Sequence, residues 1–524
     1  MHTSTRTPPT TGHRRRWWAL AVIALGQLMV VFDVTIVNVA LPSIGRDLDV
    51  SESGRSWVIT AYTLSFAGLL LAGGKVADNL GAKKAFLVAL AGFAAASAVG
   101  GAAGNLAMLL AARAGQGVFA ALLAPAAMSM MAALFPDPRE RGRAFAVFGV
   151  VMGGGAGVGL VLGGVLTEHL SWHWTLYVNT PLALLAGLGA VLVLPASPRH
   201  RARVDMAGAV LATAGLVGLI YGSSTAIADG WAAPVTLSAL AAGIVLLAAF
   251  AAVQARVRHP LLPPRIVTDR NRGGAYLAFV LVMIGMSGMF LLVSYYLQTI
   301  VGYTAQRTGA AFLPFAAATL LASTAVGHVM TRVRTGALLA VGLLLAAAGL
   351  AWLTRLDVAT AYTAGVLPAL LLIGAGVGAL SPVAANLGTL GVPGHETGIA
   401  SAVFNVSEQL GASAGVAVLN TIAAISTAAV LAARPATTLA AGTVHGYTVA
   451  AASAAALLAV GAVAVLALAN AHLGTETAVS ADTAPLTRTN TGQRQDSGRL
   501  RGVPGGGAGV DSPASKSYIH PSHV

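Results

Sequence analysis

The stretch Val30–Pro42, VVFDVTIVNVALP, places a carboxylate, Asp33, in the middle of an apolar run. This run extends from Trp17 to Leu41 and is long enough to cross a bilayer as a single helix. A charged side chain at the centre of such a helix costs about 2.5–3.5 kcal/mol on insertion scales. Asp33 therefore needs a partner, a water-filled cavity or a proton.

The composition of the whole chain is also more apolar than that of a soluble protein. Of its 524 residues, 56% are hydrophobic and 9% are charged, and the mean hydropathy is +0.77, whereas soluble proteins carry about 25% charged residues. The first apolar run is too long for a signal peptide, and no small-residue cleavage site follows it. We therefore expect an all-α integral membrane protein. The absence of cysteine excludes disulfides and thiolate metal sites.

Apolar runs between polar breaks predict about fourteen transmembrane helices. Their approximate ranges are 17–41, 56–74, 84–104, 106–135, 144–166, 174–195, 206–227, 234–254, 273–298, 309–330, 336–354, 360–386, 397–425 and 446–470.

The distribution of Lys and Arg supports an even number of spans, because short cytoplasmic loops collect these residues. If the N-terminus is inside, 25 of the 31 basic residues fall in inner segments. The exceptions are Arg46, Arg55, Arg307, Arg355 and Arg434 in outer loops, and Arg113 within the fourth span. Both termini are therefore expected to be cytoplasmic. The net charge of +13 is explained by an anionic leaflet, and nucleic-acid binding is not expected.

Two features recur in the same order along the chain. The segments Gly74–Gly81 and Gly327–Gly336 lie between spans, and glycines at four-residue intervals follow in the fifth and thirteenth spans. Such repeats are typical of secondary transporters, and here they predict two six-helix bundles with two additional helices between them. The expected division is a cytoplasmic segment at 1–16, bundles at 17–195 and 273–470, linker helices at 196–272, and a disordered cytoplasmic tail at 471–524.

Asp33 and Glu408 are the acidic residues that lie well inside predicted spans. Asp33 is roughly 12 Å from the outer end of its span, and Arg113 is roughly 10 Å from the same end of the fourth span. We therefore predict that these two side chains face each other, directly or through water, with Gln116 one turn away. A static ion pair that fixes helix packing and a carboxylate that titrates during transport both fit this prediction.

Glu408 lies roughly 16 Å into its span, near the bilayer midplane. Transporters built from repeats bind substrates and coupling ions at this depth. The alternative is a structural Glu that is hydrogen-bonded to the backbone or to Asn405.

Two glycine-containing segments are candidates for helix contacts. The fifth-span glycines, Gly155, Gly159, Gly163 and Gly164, present small residues that allow close packing in lipid or a seal between the two halves. The segment Gly74–Lys84 is expected to be a loop. It is either an ordinary solvated loop or an inner-face latch, in which Asp78 caps a neighbouring helix N-terminus or pairs with an Arg.

These residues resemble the major facilitator superfamily, specifically its 14-helix drug/proton antiporter family 2, over nearly all of residues 17–470. The similar segments are DVTIVNVALP (Asp33–Pro42), GKVADNLGAKK (Gly74–Lys84), LLAARAGQG (Leu109–Gly117), GAGVGLVLGG (Gly155–Gly164), WHWTLYVNTP (Trp172–Pro181) and YYLQTIVGYTAQRTGAAFLP (Tyr295–Pro314). Leu160 stands where the family usually has Pro, and Asn79 and Ala82 stand where it usually has basic residues.

Roles are expected for individual residues, in part from the resemblance. The residues expected to couple protons are Asp33, Arg113 and Glu408, and the resemblance implies this role for Arg113. The expected gating loop contains Gly74, Asp78, Gly81 and Lys83, and the expected antiporter packing motif contains Gly155, Gly159, Gly163 and Gly164. Candidates for the substrate cavity are Asn38, Gln116, Asn179 and Asn405.

The resemblance also implies a function. We expect a monomeric protein of the bacterial inner membrane that exports hydrophobic or amphipathic small molecules, such as antibiotics, in exchange for protons. The proton gradient supplies the energy in such transporters, so no cofactor is expected. Import of a metabolite or nutrient by proton symport is the alternative, because a fold does not set the direction of transport. An enzyme is not expected, since the sequence has neither an H-E-x-x-H metal site nor a G-x-x-x-x-G-K-[ST] phosphate loop.

Overall fold

The fold is entirely helical across the part of the chain that the structure, a computed structural model, describes. The described residues are 13–50, 52–196, 205–257, 260–330, 332–393 and 396–469. The expected all-α class is therefore confirmed for these ranges. The predicted tail at 471–524 and most of the predicted N-terminal segment lie outside them.

The first nine helices are α1 (His13–Asp47), α2 (Glu52–Leu80), α3 (Ala82–Gly101), α4 (Leu106–Leu134), α5 (Pro138–His169), α6 (His173–Tyr177), α7 (Asn179–Val193), α8 (Met206–Ala228) and α9 (Pro234–Gln254). The others are α10 (Pro264–Thr268), α11 (Arg270–Tyr295) with a π-helical turn (Tyr296–Ile300), α12 (Ala305–Ala311), α13 (Leu313–Val329), α14 (Thr335–Leu353), α15 (Tyr362–Gly365), α16 (Leu367–Thr389), α17 (Thr397–Ala433) and α18 (Leu439–Leu468).

Each predicted span coincides with one helix or with two consecutive helices. Among the described residues, thirteen helical segments are long and apolar enough to cross a membrane. The fifth predicted span corresponds to α5, a 32-residue helix outside those thirteen that packs against α1 and α13. Two spans are interrupted where Pro314 and Pro368 occupy the first turn of a new helix, a position that needs no backbone N–H donor.

The helices pack in two groups with a pair between them. In the first group, α1 to α7, helix α4 contacts α2 and α3, while α1 contacts α5 and α7. In the second group, α11 to α18, helix α14 contacts α16 and α18, while α11 contacts α17. The pair α8 and α9 pack on each other, and α8 also contacts α2 and α17. The two groups meet mainly where α5 contacts α13 and where α2 contacts α17.

The outer surface is apolar. Exposed side chains include Leu184, Leu188 and Leu192 on α7, and Ile244 and Val245 on α9. Soluble monomers rarely expose continuous apolar surface on this scale, whereas lipid solvates it and requires helices whose backbone bonds are satisfied internally. The protein is therefore a multi-pass membrane protein.

The prediction of a loop at Gly74–Lys84 is wrong. Helix α2 continues to Leu80 and α3 begins at Ala82, so Gly81 alone separates them, with a positive φ of 82° that suits glycine. The upstream part stays helical because α2 packs closely on α17. A Cβ atom on Gly74 would lie 2.7 Å from the carbonyl oxygen of Gly398.

Three of the four fifth-span glycines pack within the first group and do not seal the two groups against each other. Gly155, Gly159 and Gly163 face α1, and a Cβ on Gly163 would lie 3.0 Å from the Cα and 3.2 Å from the carbonyl oxygen of Ile36. The packing prediction fails for Gly164, because a Cβ there meets no atom within 4 Å.

The difference in packing between Gly163 and Gly164 predicts that substitutions at these two positions have unequal effects on stability. Gly163→Val should destabilise the protein by about 1–3 kcal/mol, because the added atoms meet backbone that cannot move aside. Gly164→Val, the matched control, should have little effect. Thermal unfolding of both variants in detergent checks this, and equal losses would contradict the assigned packing face.

Candidate functional site

A cavity of about 400 Å³ lies between the two helix groups. Ligand pockets in proteins usually measure about 300–1,000 Å³. Its wall is mainly aromatic and aliphatic, and the aromatic members include Phe66, Phe145, Phe148, Phe279, Phe290 and Phe404. Arg113 and Glu408 are the charged side chains among the described residues that line it. The cavity thus suits an apolar ligand that also carries polar or charged groups.

Asp33 and Arg113 form a buried ion pair beside this cavity. Nη1 of Arg113 lies 2.5 Å from Oδ2 of Asp33, and both side chains are almost fully buried. The predicted contact is therefore present and direct. Helices α1 and α4 bring the pair together, as the matching depths indicated.

Two amides complete the environment of the Asp33 carboxylate. Gln116 and Asn179 each donate to Oδ1 over 2.8 Å. Gln116 also accepts from Arg113 at 2.8 Å, and its amide group lies 2.8 Å from the hydroxyl oxygen of Ser97. Side chains of α4 and α7 therefore converge on a carboxylate of α1, and Ser97 of α3 contacts Gln116 behind it. Each of the donors to Asp33 makes a favourable contact with the negative charge of the carboxylate.

Arg113 is held from two further sides. Its Nε donates to the carbonyl oxygen of Val58 at 3.1 Å, and its guanidinium lies 4.6 Å from the centre of the Tyr62 ring, a cation–π distance. Tyr62 and Arg113 line the cavity whereas Asp33 does not. These two side chains therefore form part of the wall between the cavity and the buried acid.

Sequence reasoning missed Tyr62. Its hydroxyl is buried without a hydrogen-bond partner among the described residues. A Tyr within an apolar run carries no distinctive signal, and its position four residues after Val58 matters only once α2 and α4 are known to pack together.

The four amide candidates for the cavity have different positions. Asn405 lines the cavity, where its side-chain nitrogen donates to the carbonyl oxygen of Ser401 at 2.8 Å. Gln116 and Asn179 lie behind the wall, in the Asp33 cluster. Asn38 is exposed and is not part of the lining, so its prediction as a cavity residue is wrong. It lies five residues beyond Asp33, on a different face of α1.

Glu408 lines the cavity from α17 of the second group. Within the described part of the chain, its carboxylate makes no hydrogen bond or ion pair, and Asn405 is bonded to Ser401 instead. The expected alternative, a Glu held by Asn405, is therefore not observed. A carboxylate with free acceptor sites faces the cavity.

The end of the bundle where α1 begins, called the basic end here, carries contacts between the two groups. Oδ1 of Asp78 accepts from the backbone N–H of Gly398 at 2.9 Å, in the first turn of α17. An acid at a helix N-terminus is favourable because unpaired N–H groups concentrate positive charge there. Of the two arrangements expected for a latch, Asp78 therefore adopts the helix cap.

Lys83 has a different partner from the one expected of a gate. Its Nζ donates to the carbonyl oxygens of Leu194 at 2.6 Å and Val191 at 3.2 Å, at the end of α7. This contact stays within the first group. Gly74 and Asp78 thus contact the second group, whereas Lys83 does not do so through these bonds.

Comparison with known proteins identifies the family. The model of the major facilitator superfamily matches residues 23–416. The chain belongs to the major facilitator superfamily. It is therefore a membrane transporter, and the family implies a small-molecule substrate.

Several relatives within the superfamily are named for antibiotics. The chain is 49% identical to the puromycin resistance protein of Streptomyces alboniger, over 83% of this chain and 87% of that protein. It is 38% identical to the cephamycin export protein of Amycolatopsis lactamdurans, over 77% and 84% of the two chains. It is 32% identical to the tetracenomycin C resistance and export protein of Streptomyces glaucescens, over 79% and 78%.

Solved structures agree on the fold. The human organic anion transporter MFSD10 superposes with a TM-score of 0.62 at 18% identity, covering 88% of this transporter and 100% of that chain. The proton:xylose symporter XylE superposes with a TM-score of 0.58 at 15% identity, covering 85% and 95%. At these identities the likeness concerns the fold alone.

The buried pair predicts a non-additive pattern of stability. Arg113→Gln should destabilise the transporter by about 3–5 kcal/mol at neutral pH, because it leaves the Asp33 charge buried without its counter-charge. Adding Asp33→Asn should recover part of that loss. Thermal unfolding of both variants and of the double variant tests this, and losses that simply add would show that the two side chains do not depend on each other.

Proposed function

We propose that this transporter exports hydrophobic or amphipathic small molecules, including antibiotics, across the bacterial inner membrane in exchange for protons. The observation that carries the proposal is the buried Asp33–Arg113 pair at the wall of a largely apolar cavity. Relatives named for resistance to or export of puromycin, cephamycin and tetracenomycin C support efflux as the direction. The bias of Lys and Arg toward one set of loops supports cytoplasmic termini.

Protonation of Asp33 is the proposed coupling step. A proton from outside neutralises the carboxylate and weakens its ion pair with Arg113. Because Arg113 lines the cavity, the released guanidinium makes the cavity more positive and lowers its affinity for a cationic substrate. Loss of the proton to the inside restores the pair. One carboxyl group thereby links proton occupancy to the charge of the substrate site as the two helix groups move.

The energy available from one proton is sufficient for useful export. A charge moving down 100 mV releases about 2.3 kcal/mol, and each tenfold concentration ratio requires about 1.4 kcal/mol. Exchange of one proton for one neutral molecule can therefore sustain roughly a forty-fold gradient per 100 mV.

Glu408 is the proposed determinant of substrate charge. Its unpartnered carboxylate faces the cavity from the second group, whereas Arg113 lines the cavity from the first. Phe404 lies one turn before it on α17 and stacks on Phe279 with ring centres 4.1 Å apart. An aromatic or aliphatic body can pack on these rings while a cationic nitrogen pairs with Glu408, so amphipathic cations fit this side of the cavity best.

The proton-coupling role predicts the effect of Asp33→Asn. The amide keeps the size of the side chain but cannot exchange a proton, so pH-driven transport should be abolished in a protein that still folds in membranes. Transport driven by an imposed pH gradient in proteoliposomes checks this. Asp229→Asn, at an exposed acid outside the site, is the matched control and should transport normally.

Retained proton-driven transport by Asp33→Asn would defeat the proposed coupling. Net movement of substrate in the same direction as the proton would instead establish symport, the alternative function.

The role assigned to Glu408 predicts a selective effect. Glu408→Gln should weaken export of the lipophilic cation tetraphenylphosphonium several-fold more than export of a neutral drug of similar size, because only the cation loses its charge partner. Parallel export assays with the two compounds check this. Equal losses for both compounds would count against the assignment.

A further inference from the structure

Arg141 makes a contact between the two helix groups at the basic end. It lies in the first turn of α5, in the first group, and its Nη2 donates to the hydroxyl oxygen of Thr389 at 2.6 Å, in the second group. Arg141 forms no ion pair with any described residue, and its Nε is buried without a hydrogen-bond partner among them. Its guanidinium also lies 5.7 Å from the centre of the Phe145 ring. Because the Arg141 guanidinium has no acidic partner among the described residues, another group must supply the negative potential that stabilises its charge.

The end of α16 supplies that potential. Thr389 is the last residue of α16, and its hydroxyl lies 3.2 Å from the carbonyl oxygens of Ala385 and Asn386, to which it can donate. Carbonyl groups at a helix C-terminus lack helical partners and concentrate negative charge, which favours a nearby cation. The Thr389 hydroxyl thus connects Arg141 to the negative end of a helix in the other group.

This contact is the counterpart of the one made by Asp78. Helix α16 ends at Thr389, and α17 begins at Thr397, so the two helix ends are neighbours in the chain. Asp78 of α2 contacts the positive N-terminus of α17, while Arg141 of α5 contacts the negative C-terminus of α16. The first group therefore contacts the end of α16 and the start of α17 with side chains of opposite charge type, each matched to its helix end.

The contact between Arg141 and Thr389 lies close to the cavity. Phe145 and Ala385, each one turn away from Arg141 and Thr389 along their helices, line the cavity. Beside Arg141, a Cβ on Gly142 would approach the sulfur atom of Met330, which is fully buried at the end of α13. The Arg141–Thr389 bond thus lies immediately beyond the cavity wall, where the two groups meet at the basic end.

We propose that Arg141 is a positioning residue for transport: together with Asp78, it holds the basic end closed by binding the C-terminal end of α16. This inference rests on the proposed function, in which the two helix groups move relative to each other during transport. Losing the Arg141 contact raises the fraction of molecules open at the basic end. It does not change the Asp33 site.

The test measures opening without transport. The chain contains no cysteine, so Met330→Cys introduces a single thiol that is buried when the basic end is closed. The rate of thiol labelling, in purified transporter in nanodiscs, reports the open fraction. Adding Arg141→Gln should raise this rate roughly 3- to 30-fold, the range expected for loss of a charge at a helix end. Asp78→Asn should act in the same direction, and Arg141→Lys should act less.

Arg143→Gln is the matched control. Arg143 lies on the same helix and carries the same charge but is exposed, so its loss should leave the labelling rate unchanged. An unchanged rate in Arg141→Gln, or an equal rise in Arg143→Gln, would overturn the proposal.

A second variant covers the case in which Arg141→Gln fails to fold. Thr389→Val removes only the hydroxyl that links Arg141 to α16, and it should raise the labelling rate as well; an unchanged rate there would also overturn the proposal. Failure of proton coupling, measured separately by transport, leaves these labelling results intact, so the two proposals can fail independently.

Discussion

The interaction between Asp33 and Arg113 is the constraint around which the first helix group is built. Removing a carboxylate and a guanidinium from water is costly, and their attraction offsets that cost only when the remaining hydrogen-bonding positions are filled. Gln116 and Asn179 bind the acid, while Val58 and Tyr62 hold the base. The ion pair supplies its attraction while the acid is charged and loses it when the acid takes up a proton. The contacts that make the pair a packing element are therefore the same contacts on which the proposed proton coupling depends.

The second group contributes the complementary features. Glu408 faces the cavity without a partner, and aromatic side chains on α11 and α17 form the neighbouring wall. The proposed proton-coupling pair and the proposed substrate contacts thus lie in different groups, around one cavity. Movement of the groups relative to each other changes the distance between the two charged sites. Charges at the helix ends of the basic end, from Asp78 and Arg141, oppose that movement.

Much of this arrangement could be predicted from sequence, because a lipid bilayer restricts the length of the helices and the placement of charged side chains. The positions of the membrane-crossing helices follow from apolar length, whereas their orientation, inferred from the positions of Lys and Arg, stays a prediction. The Asp33–Arg113 contact followed from depth alone, since an intramembrane acid has few possible partners. The glycine contacts followed from spacing for Gly155, Gly159 and Gly163, but Gly164 lies off the packed face.

What sequence could not predict depends on tertiary packing. Gly74 was assigned to a loop because glycine and charge are typical of turns, whereas the close approach of α17 keeps it helical. Asn38 has the right residue type and depth but the wrong face of α1. Tyr62 and Thr389 have ordinary sequence surroundings, and their roles come from neighbours more than 50 residues away.

The most direct test of the central claim is the number of protons released when substrate binds. Tetraphenylphosphonium has no titratable group, so any proton released on its binding to purified transporter in weakly buffered solution comes from the protein. Across a range of pH values, the wild type should release up to one more proton per bound cation than Asp33→Asn does. Saturating binding without proton release from the wild type at every pH, or equal release from both proteins, would contradict the proposed coupling.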